Sequence, residues 1–339
     1  MADGKNISKN IIICCDGTGN EYCETNTNIV RLFEIIEKNN PGQIAYYDPG
    51  VGTIGSRAAV TRIGKKITRI LGLAFGLGMT RNIEEAYEFL MDNFEDNDRI
   101  YLFGFSRGAY TVRAIGGLLL KCGLLHRNCQ NQIPYAMKIY REYKMAADNP
   151  IARGFRETFS RTCIPYFIGV WDTVKATGLF KSYTFSDCFL NKNIKFGYHA
   201  LAIDERRSKF KQVPWNPAAE NQTIEQVWFP GVHSDIGGGY PENGLSEIAL
   251  KWMTDKAVVC GLKIDQEKYN FIAPDFRTNI HKSYKGWWRL LGTHKREIKE
   301  DSWVSKCAYV KKDDCETYCP KNLPEQDKVK LIGESDDCS

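Results

Sequence analysis

Arg99 to Gly123, RIYLFGFSRGAYTVRAIGGLLLKCG, is the stretch from which the rest of the chain is read. Ile100 to Phe103 form a continuous apolar run of the kind shown by a strand buried on both faces. After it, Val112, Ile115 and Leu119 recur with helical spacing. Between the two lies Gly104-Phe105-Ser106-Arg107-Gly108, so strand, sharp turn and helix follow one another. In that setting G-x-S-x-G reads as a nucleophile elbow, whose small residues let the chain turn tightly and lift the Ser106 hydroxyl above the sheet edge. The helix beginning at Arg107 aims its first amides and its positive end at the place where an oxyanion would develop. A glycine-serine turn without chemistry is the alternative; the buried strand before it and the helix after it argue against that.

Working outward, the segments on either side alternate between strand and helix. Asn10 to Cys15 (NIIICC) is a buried strand that stops at Asp16-Gly17-Thr18-Gly19-Asn20, a turn at the sheet edge where ligands of open α/β sheets collect. Asp-Gly-Thr at that place also fits the aspartate-nucleophile phosphatases, but their chemistry needs a carboxylate where this chain has Cys14, and the phosphatase reading is set aside. Asn28 to Lys38 is helical, Gln43 to Tyr47 is a strand, and Arg81 to Phe94 is an amphipathic helix leading into the elbow strand. Gly50 to Gly55 matches G-x-G-x-x-G, but Asp48-Pro49 interrupts the junction and no acid follows at the dinucleotide spacing, so it reads as a loop near the site mouth. Ala58 to Gly78 mixes basic and apolar residues and reads either as a basic amphipathic face that meets lipid or, the preferred reading, in part as a helix packed on the sheet with a solvated basic side. This order predicts a mostly parallel α/β sheet with helices on both faces.

Beyond the elbow, Pro134 to Met145 is helical and Cys163 to Trp171 is a buried strand ending in Asp172. Lys195 to Ile203 is the next strand and ends in Asp204-Glu205-Arg206-Arg207; Gln226 to Val232 is read as the last, and it delivers His233. Serine needs a base, and the base needs a carboxylate to fix its tautomer. Ser106, Asp172 and His233 supply the three groups in the chain order Ser, Asp, His. Of the five histidines, His233 alone sits at a strand end beside a glycine run, and Gly237 to Gly239 read as a mobile loop that lets the imidazole swing towards Ser106. His126, His199, His281 and His294 read as helix-end, mid-strand or loop residues. Asp172 is favoured as the acid over Asp204, whose charged neighbours suggest a structural ion pair, although the usual hydrolase layout points one strand later, to Asp204. For the oxyanion hole the candidates are the amides of Arg107 and Gly17.

Composition sets wider bounds. A chain of 339 residues, 43% of them hydrophobic, can bury a large core. Its longest apolar runs fall far short of the roughly 20 residues a bilayer needs, and the polar Met1 to Asn10 lacks the apolar core of a signal peptide. Twelve cysteines are scattered and lack zinc spacing, so they read as free thiols in a reducing compartment. A net charge of +5 is compatible with an anionic lipid surface and too weak to indicate nucleic acid.

Seven blocks carry a family resemblance: CDGTGN (Cys15 to Asn20), YYDPGVGT (Tyr46 to Thr53), NIEEAYEFL (Asn82 to Leu90), LFGFSRGA (Leu102 to Ala109), GVWDTV (Gly169 to Val174), HALAIDERR (His199 to Arg207) and WFPGVHSDIGGGY (Trp228 to Tyr240). Together they resemble the α/β-hydrolase family whose known bacterial members are type VI secretion phospholipase effectors. The resemblance implies an α/β-hydrolase-like fold and a lipase or phospholipase acting on glycerophospholipid acyl esters, with Ser106 as nucleophile, Asp172 as acid and His233 as base. A soluble short-chain carboxylesterase and a non-catalytic binding module on the same scaffold are the competing readings.

The expected organisation is a catalytic core over 1–262, a C-terminal elaboration over 263–320 acting as cap or interface, and a polar tail over 321–339; the polar run from Asp313 onwards is expected to fray. In the elaboration, Tyr284 to Leu291 pairs two tryptophans with basic residues and leucines, which suits either a membrane interface or closure over the core or acyl pocket, with closure preferred. The expected substrate is a phospholipid or other acyl ester. Peripheral contact with a membrane and an immunity or adaptor protein are the other partners considered, and nucleic acid is not among them. The chemistry calls for no cofactor and no metal. Synthesis in a cytoplasm is expected, followed by export through a specialised secretion system or attachment at a membrane periphery.

Overall fold

Apolar side chains on both faces of one strand sort the interior into two halves. In β1 (Asn10–Cys15), Ile11, Ile13 and Cys15 join one buried cluster and Ile12 and Cys14 join the other. Such a strand belongs in the middle of a parallel sheet covered on both sides. The computed structural model describes residues 8–17, 20, 22–50, 67–142, 147–174, 190–333 and 338, with the backbone alone for 67–77 and 287.

Along the chain, β1 is followed by α1 (Asn28–Ile35), β2 (Gln43–Asp48), α2 (Ile67–Asn93), β3 (Arg99–Phe105) and α3 (Arg107–Cys122). A short hairpin pair, β4 (Leu124–Leu125) and β5 (Ser160–Arg161), brackets α4 (Ile133–Arg141) and α5 (Pro150–Phe159). Then come β6 (Phe167–Trp171), β7 (Phe196–Ala202), β8 (Thr223–Phe229), α6 (His233–Gly237), α7 (Gly244–Val259) and α8 (Gln266–Tyr269). The chain closes with β9 (Trp303–Ser305), α9 (Lys306–Asp314) and β10 (Lys330–Ile332). Eight strands form one sheet in the order β10-β9-β8-β7-β6-β3-β1-β2, with every neighbouring pair parallel. Residues from α2, α3, α4 and α5 fill one face, and residues from α1, α6 and α7 fill the other. The fold is α/β and α/β-hydrolase-like, and its parallel register brings Cys15, Asp48, Gly104, Trp171 and Ala200 to a common carboxyl edge.

Four expectations need correction. Gln226 to Val232 is not the last strand: β8 ends before Pro230, and β9 and β10 extend the sheet beyond it. The described residues from Asp313 to Gly333 are held rather than frayed, because Val329 and Leu331 pack onto a cluster built from Leu201, Trp228 and Val304, and β10 pairs with β9. The cysteines are not all free thiols: Cys307 and Cys338 are disulfide-bonded, while nine others are free among the described residues. The helix expected over Asn28 to Lys38 stops at Ile35, because Ile36 turns to an extended conformation and bridges Ile264. The region expected as Arg81 to Phe94 is the second part of the longer α2, which absorbs the apolar run before it. Gly50 apart, the stretch to Gly55 lies outside the described residues, as does all of Ala58 to Lys66.

Candidate functional site

The elbow at Ser106 is a strained junction between β3 and α3. Ser106 sits at φ 57° and ψ −116°, in the left-handed half of backbone space that costs a non-glycine residue about 1–3 kcal/mol. Its amide donates to the Trp171 carbonyl at 3.0 Å, which holds the turn against the end of β6. The helix can start this close to the sheet because residue 108 lacks a side chain: a Cβ there would lie 2.1 Å from the Cys15 carbonyl oxygen. A turn so constrained raises a side chain at its apex, and Ser106 remains only 5% exposed there.

Asp172 follows directly from the end of β6, also at positive φ (40°). Its amide donates to Ala200 at 2.8 Å, and its Oδ1 accepts the Ala202 amide at 3.1 Å, so the carboxylate is fixed by β7. His233 opens α6 just beyond β8. His233 Nδ1 and Asp172 Oδ2 are 2.6 Å apart, and His233 Nε2 and Ser106 Oγ are 2.8 Å apart. An ionised carboxylate only accepts, so Nδ1 carries the proton and donates to Asp172, leaving Nε2 of the neutral ring to accept from the Ser106 hydroxyl. Three residues read from the sequence thus meet at one sheet edge.

The electrostatics are set by burial and by two arginines. Burial alone would raise the Asp172 carboxyl, but the Arg296 charge and the hydrogen bonds from His233 and Arg296 outweigh it and hold Asp172 well below the usual carboxylate range. Burial lowers His233 from its ordinary 6.5, opposed by the Asp172 hydrogen bond and charge and by Glu205. Glu205 is itself buried, yet Arg207 keeps it ionised through a two-pronged contact at 2.9 and 2.7 Å. The Arg207 guanidinium stacks 3.5 Å over the Phe210 ring, and Phe210 meets both His233 (4.9 Å) and Trp288 (5.3 Å) edge-on. The Phe105 ring lies 4.7 Å from the imidazole.

The other sequence candidates fall elsewhere. Asp204 Oδ2 accepts from the Gly231 amide and the Tyr318 hydroxyl at 2.8 and 3.1 Å, so it pins a loop and does not reach His233; burial pushes its carboxyl up to about 6. The ion pair foreseen around it is formed by Glu205 and Arg207 instead. Gly17 packs beside the elbow, 3.5 Å from the Ser106 Cβ as measured from where its own Cβ would be, but its amide donates to Asp16 Oδ1 at 2.6 Å. Arg107 is the first residue of α3. The glycines after His233 do not form a swinging loop: a Cβ on Gly237 would sit 1.9 Å from the Phe105 ring, so this residue lets α6 lie flat on Phe105 and hold the imidazole in place. His199 is buried mid-strand and accepts the Thr173 amide, and burial lowers it to about 3, followed by the Arg113 charge. His281 bonds Asp235 at 2.6 Å and stacks on Tyr240, away from the Ser106 group. Trp288 meets the Phe210 ring, whereas the side chain of Trp287 lies outside the described residues.

Sequence reasoning missed Arg296, because nothing distinguishes it from the lysines and arginines around it. It missed the Arg207–Phe210–Trp288 stack for want of any motif joining segments so far apart in the chain. Among the described residues no group of three or more His, Cys, Asp or Glu side chains could hold a metal ion, and no helix is long and apolar enough to cross a membrane.

Comparison with known proteins bears on the whole arrangement. The Saccharomyces cerevisiae protein described as "Uncharacterized protein YEL023C" is 33% identical over 225 residues, covering 62% of this chain and 33% of that protein, so the chain spans about a third of that relative's length. Among solved structures, an uncharacterized protein from Pseudomonas aeruginosa is 19% identical over 80% of this chain and 49% of that chain, with a TM-score of 0.43. Esterase 2 of Thermogutta terrifontis is 12% identical over 77% of this chain and 85% of that one, with a TM-score of 0.36. Residues 9–256, which include β1 to β8 and all of Ser106, Asp172 and His233, match the family described as "T6SS, Phospholipase effector Tle1-like, catalytic domain", and the chain belongs to that family.

Proposed function

We propose that this chain is a serine ester hydrolase that cleaves acyl esters of glycerophospholipids through an acyl-enzyme intermediate. The observation that carries the proposal is the relay from Asp172 through His233 to Ser106, at 2.6 and 2.8 Å. Membership of a family described by phospholipase effectors supports the lipid substrate. In this scheme His233 Nε2 takes the Ser106 proton as Oγ attacks the ester carbonyl, and Asp172 stabilises the imidazolium that forms. The oxyanion develops beside the start of α3, where the Arg107 amide is the first donor we assign. Gly17 serves as the second donor only if its amide gives up Asp16 Oδ1 when the oxyanion forms. The imidazolium then protonates the leaving lysophospholipid oxygen, and a water activated by His233 releases the fatty acid from Ser106. Contact with a membrane surface, export by a specialised secretion system and recognition by an immunity or adaptor protein belong to the same proposal.

The test is lipid mass spectrometry after incubation with vesicles of phosphatidylethanolamine and phosphatidylglycerol, expected to reveal free fatty acid and lysophospholipid. Ser106→Ala should lower kcat by at least about 10³-fold and Asp172→Asn by on the order of 10³–10⁴-fold, while Asp204→Asn stays near the parent. Unchanged turnover in folded Ser106→Ala ends the proposal. Cleavage of monomeric p-nitrophenyl esters with none of vesicles selects a soluble short-chain carboxylesterase instead. Failure of a fluorophosphonate probe to label the chain selects a non-catalytic module.

A further inference from the structure

We propose that Arg296 is a positioning residue that holds the Asp172 carboxylate in the orientation and ionised form His233 requires; this rests on the serine-hydrolase proposal above. Arg296 is 1% exposed, and its guanidinium grips both oxygens of the carboxylate, Nη1 to Oδ1 at 2.5 Å and Nη2 to Oδ2 at 2.9 Å. The planar fork matches a carboxylate in a way that no single-point cation can. With Oδ1 also taking the Ala202 amide and Oδ2 shared with His233, rotation of the carboxylate breaks several bonds at once. In the observed orientation every one of these donors is satisfied and Oδ2 faces the imidazole.

The same guanidinium reaches the other wall of the site. Nη1 also donates to the Ala202 carbonyl at 2.9 Å and Nη2 to the Phe210 carbonyl at 2.7 Å. Phe210 is the residue whose ring borders His233, so one side chain fixes the acid and the backbone beside the base together. Arg296 arrives on a segment that is already held: Arg207 bridges Thr293, the His294 amide donates to the Arg206 carbonyl at 2.8 Å, and Ile298 packs with Leu201 and Trp228. Arg296 lies beyond the residues 9–256 that match the family, so the grip comes from the C-terminal part of the chain. A buried carboxylate without such a partner is costly to keep ionised, and a protonated Asp172 cannot stabilise an imidazolium.

The charged and titratable groups around the Asp172–His233 pair are Arg296, Glu205 and Arg207, with His199 and Arg113 behind the acid. Removing the Arg296 charge raises the affinity of the coupled Asp172–His233 pair for a proton, whichever of the two holds it, and so moves the acid limb of kcat/KM to higher pH. The experiment measures kcat, KM and the pH profile of full-length Arg296→Met, Arg296→Lys and Ser106→Ala on the vesicle assay, with near-ultraviolet circular dichroism to count folded molecules. Arg296→Met should lose on the order of 10²-fold in kcat, the cost of misplacing a reacting group, with KM little changed, and its acid limb should rise by about one pH unit. Arg296→Lys, which keeps the charge and loses the fork, should restore the acid limb and only part of kcat. A folded Arg296→Met with parental kcat and pH profile overturns the proposal, as do identical profiles for the Met and Lys variants. Should the Met variant not fold, Arg296→Lys alone decides: reduced kcat with the parental limb supports the assignment and parental kcat overturns it. Turnover surviving Ser106→Ala instead overturns the serine-hydrolase proposal itself.

Discussion

At the scale of single residues, the group at the carboxyl edge of the sheet is a problem of keeping two buried side chains in opposite charge states. In the proposed mechanism Asp172 has to stay ionised with no solvent exposure, and His233 has to stay neutral until a proton arrives. Arg296 solves the first and burial solves the second. A lowered His233 has a definite sign in the rate profile. Because only the neutral ring accepts a proton, the proposed activity should persist as pH falls and be lost only below 6.5, the ordinary imidazole value. Measuring kcat/KM for a fluorogenic ester between pH 4 and 8 should therefore give a lower midpoint than a free imidazole; one above 6.5 contradicts the electrostatics described here. Ser106 and His233 were legible because each sits where a strand pattern ends, Ser106 between glycines and His233 before a glycine run. Asp172 was legible only as one of two acids at equivalent strand ends, and choosing between them needed the register of β6 against β7. Arg296 was not legible, since its role depends on a contact across 124 residues.

At the scale of elements, the site exists because helices approach the sheet more closely than side chains ordinarily permit. Gly108 lets α3 start against the end of β1, and Gly237 lets α6 lie on the Phe105 ring. A Cβ at 237 has nowhere to go, with three carbons of that ring within 2.3 Å of its position. Gly237→Ala should therefore cost about 1–3 kcal/mol, as overpacking of a core does, and should displace the imidazole as well. Urea unfolding and kcat measured together check this, and a fall in both is expected. Parental stability with parental kcat would show that α6 is free to move, as the glycine run had suggested from sequence alone. The strands themselves were readable, because apolar runs such as Ile100 to Phe103 and Phe167 to Trp171 leave few other structures open. The helix ends were less so: α1 stops at Ile35 because of a bridge to Ile264, more than 220 residues away.

At the scale of the whole molecule, the C-terminal part of the chain is built into the sheet and into the site. It adds β9 and β10 beside β8, supplies Arg296 to Asp172, and is closed by the Cys307–Cys338 disulfide over a separation of 31 residues. The Phe276 amide donates to the Cys338 carbonyl at 2.9 Å, so the bond also ties the chain end to the helix face that carries α7. Opening a loop of that length should cost roughly 3–4 kcal/mol through the unfolded chain. Unfolding free energies from urea titration of Cys338→Ser and of the reduced parent should fall together by that amount; equal values for reduced and oxidised protein would show that the bond does not constrain the unfolded chain. By itself the sequence determined the alternation of buried strands and helices, the elbow at Ser106 and the strand ends that carry Asp172 and His233, because periodicity and turn chemistry are local and are written in consecutive residues. Only the tertiary structure decided which acid meets the histidine, that Gly17 is tied to Asp16, that the end of the chain closes the sheet and that Arg296 anchors the acid. Those outcomes depend on hydrogen-bond geometry and close packing between segments far apart in the chain, and no local pattern encodes them.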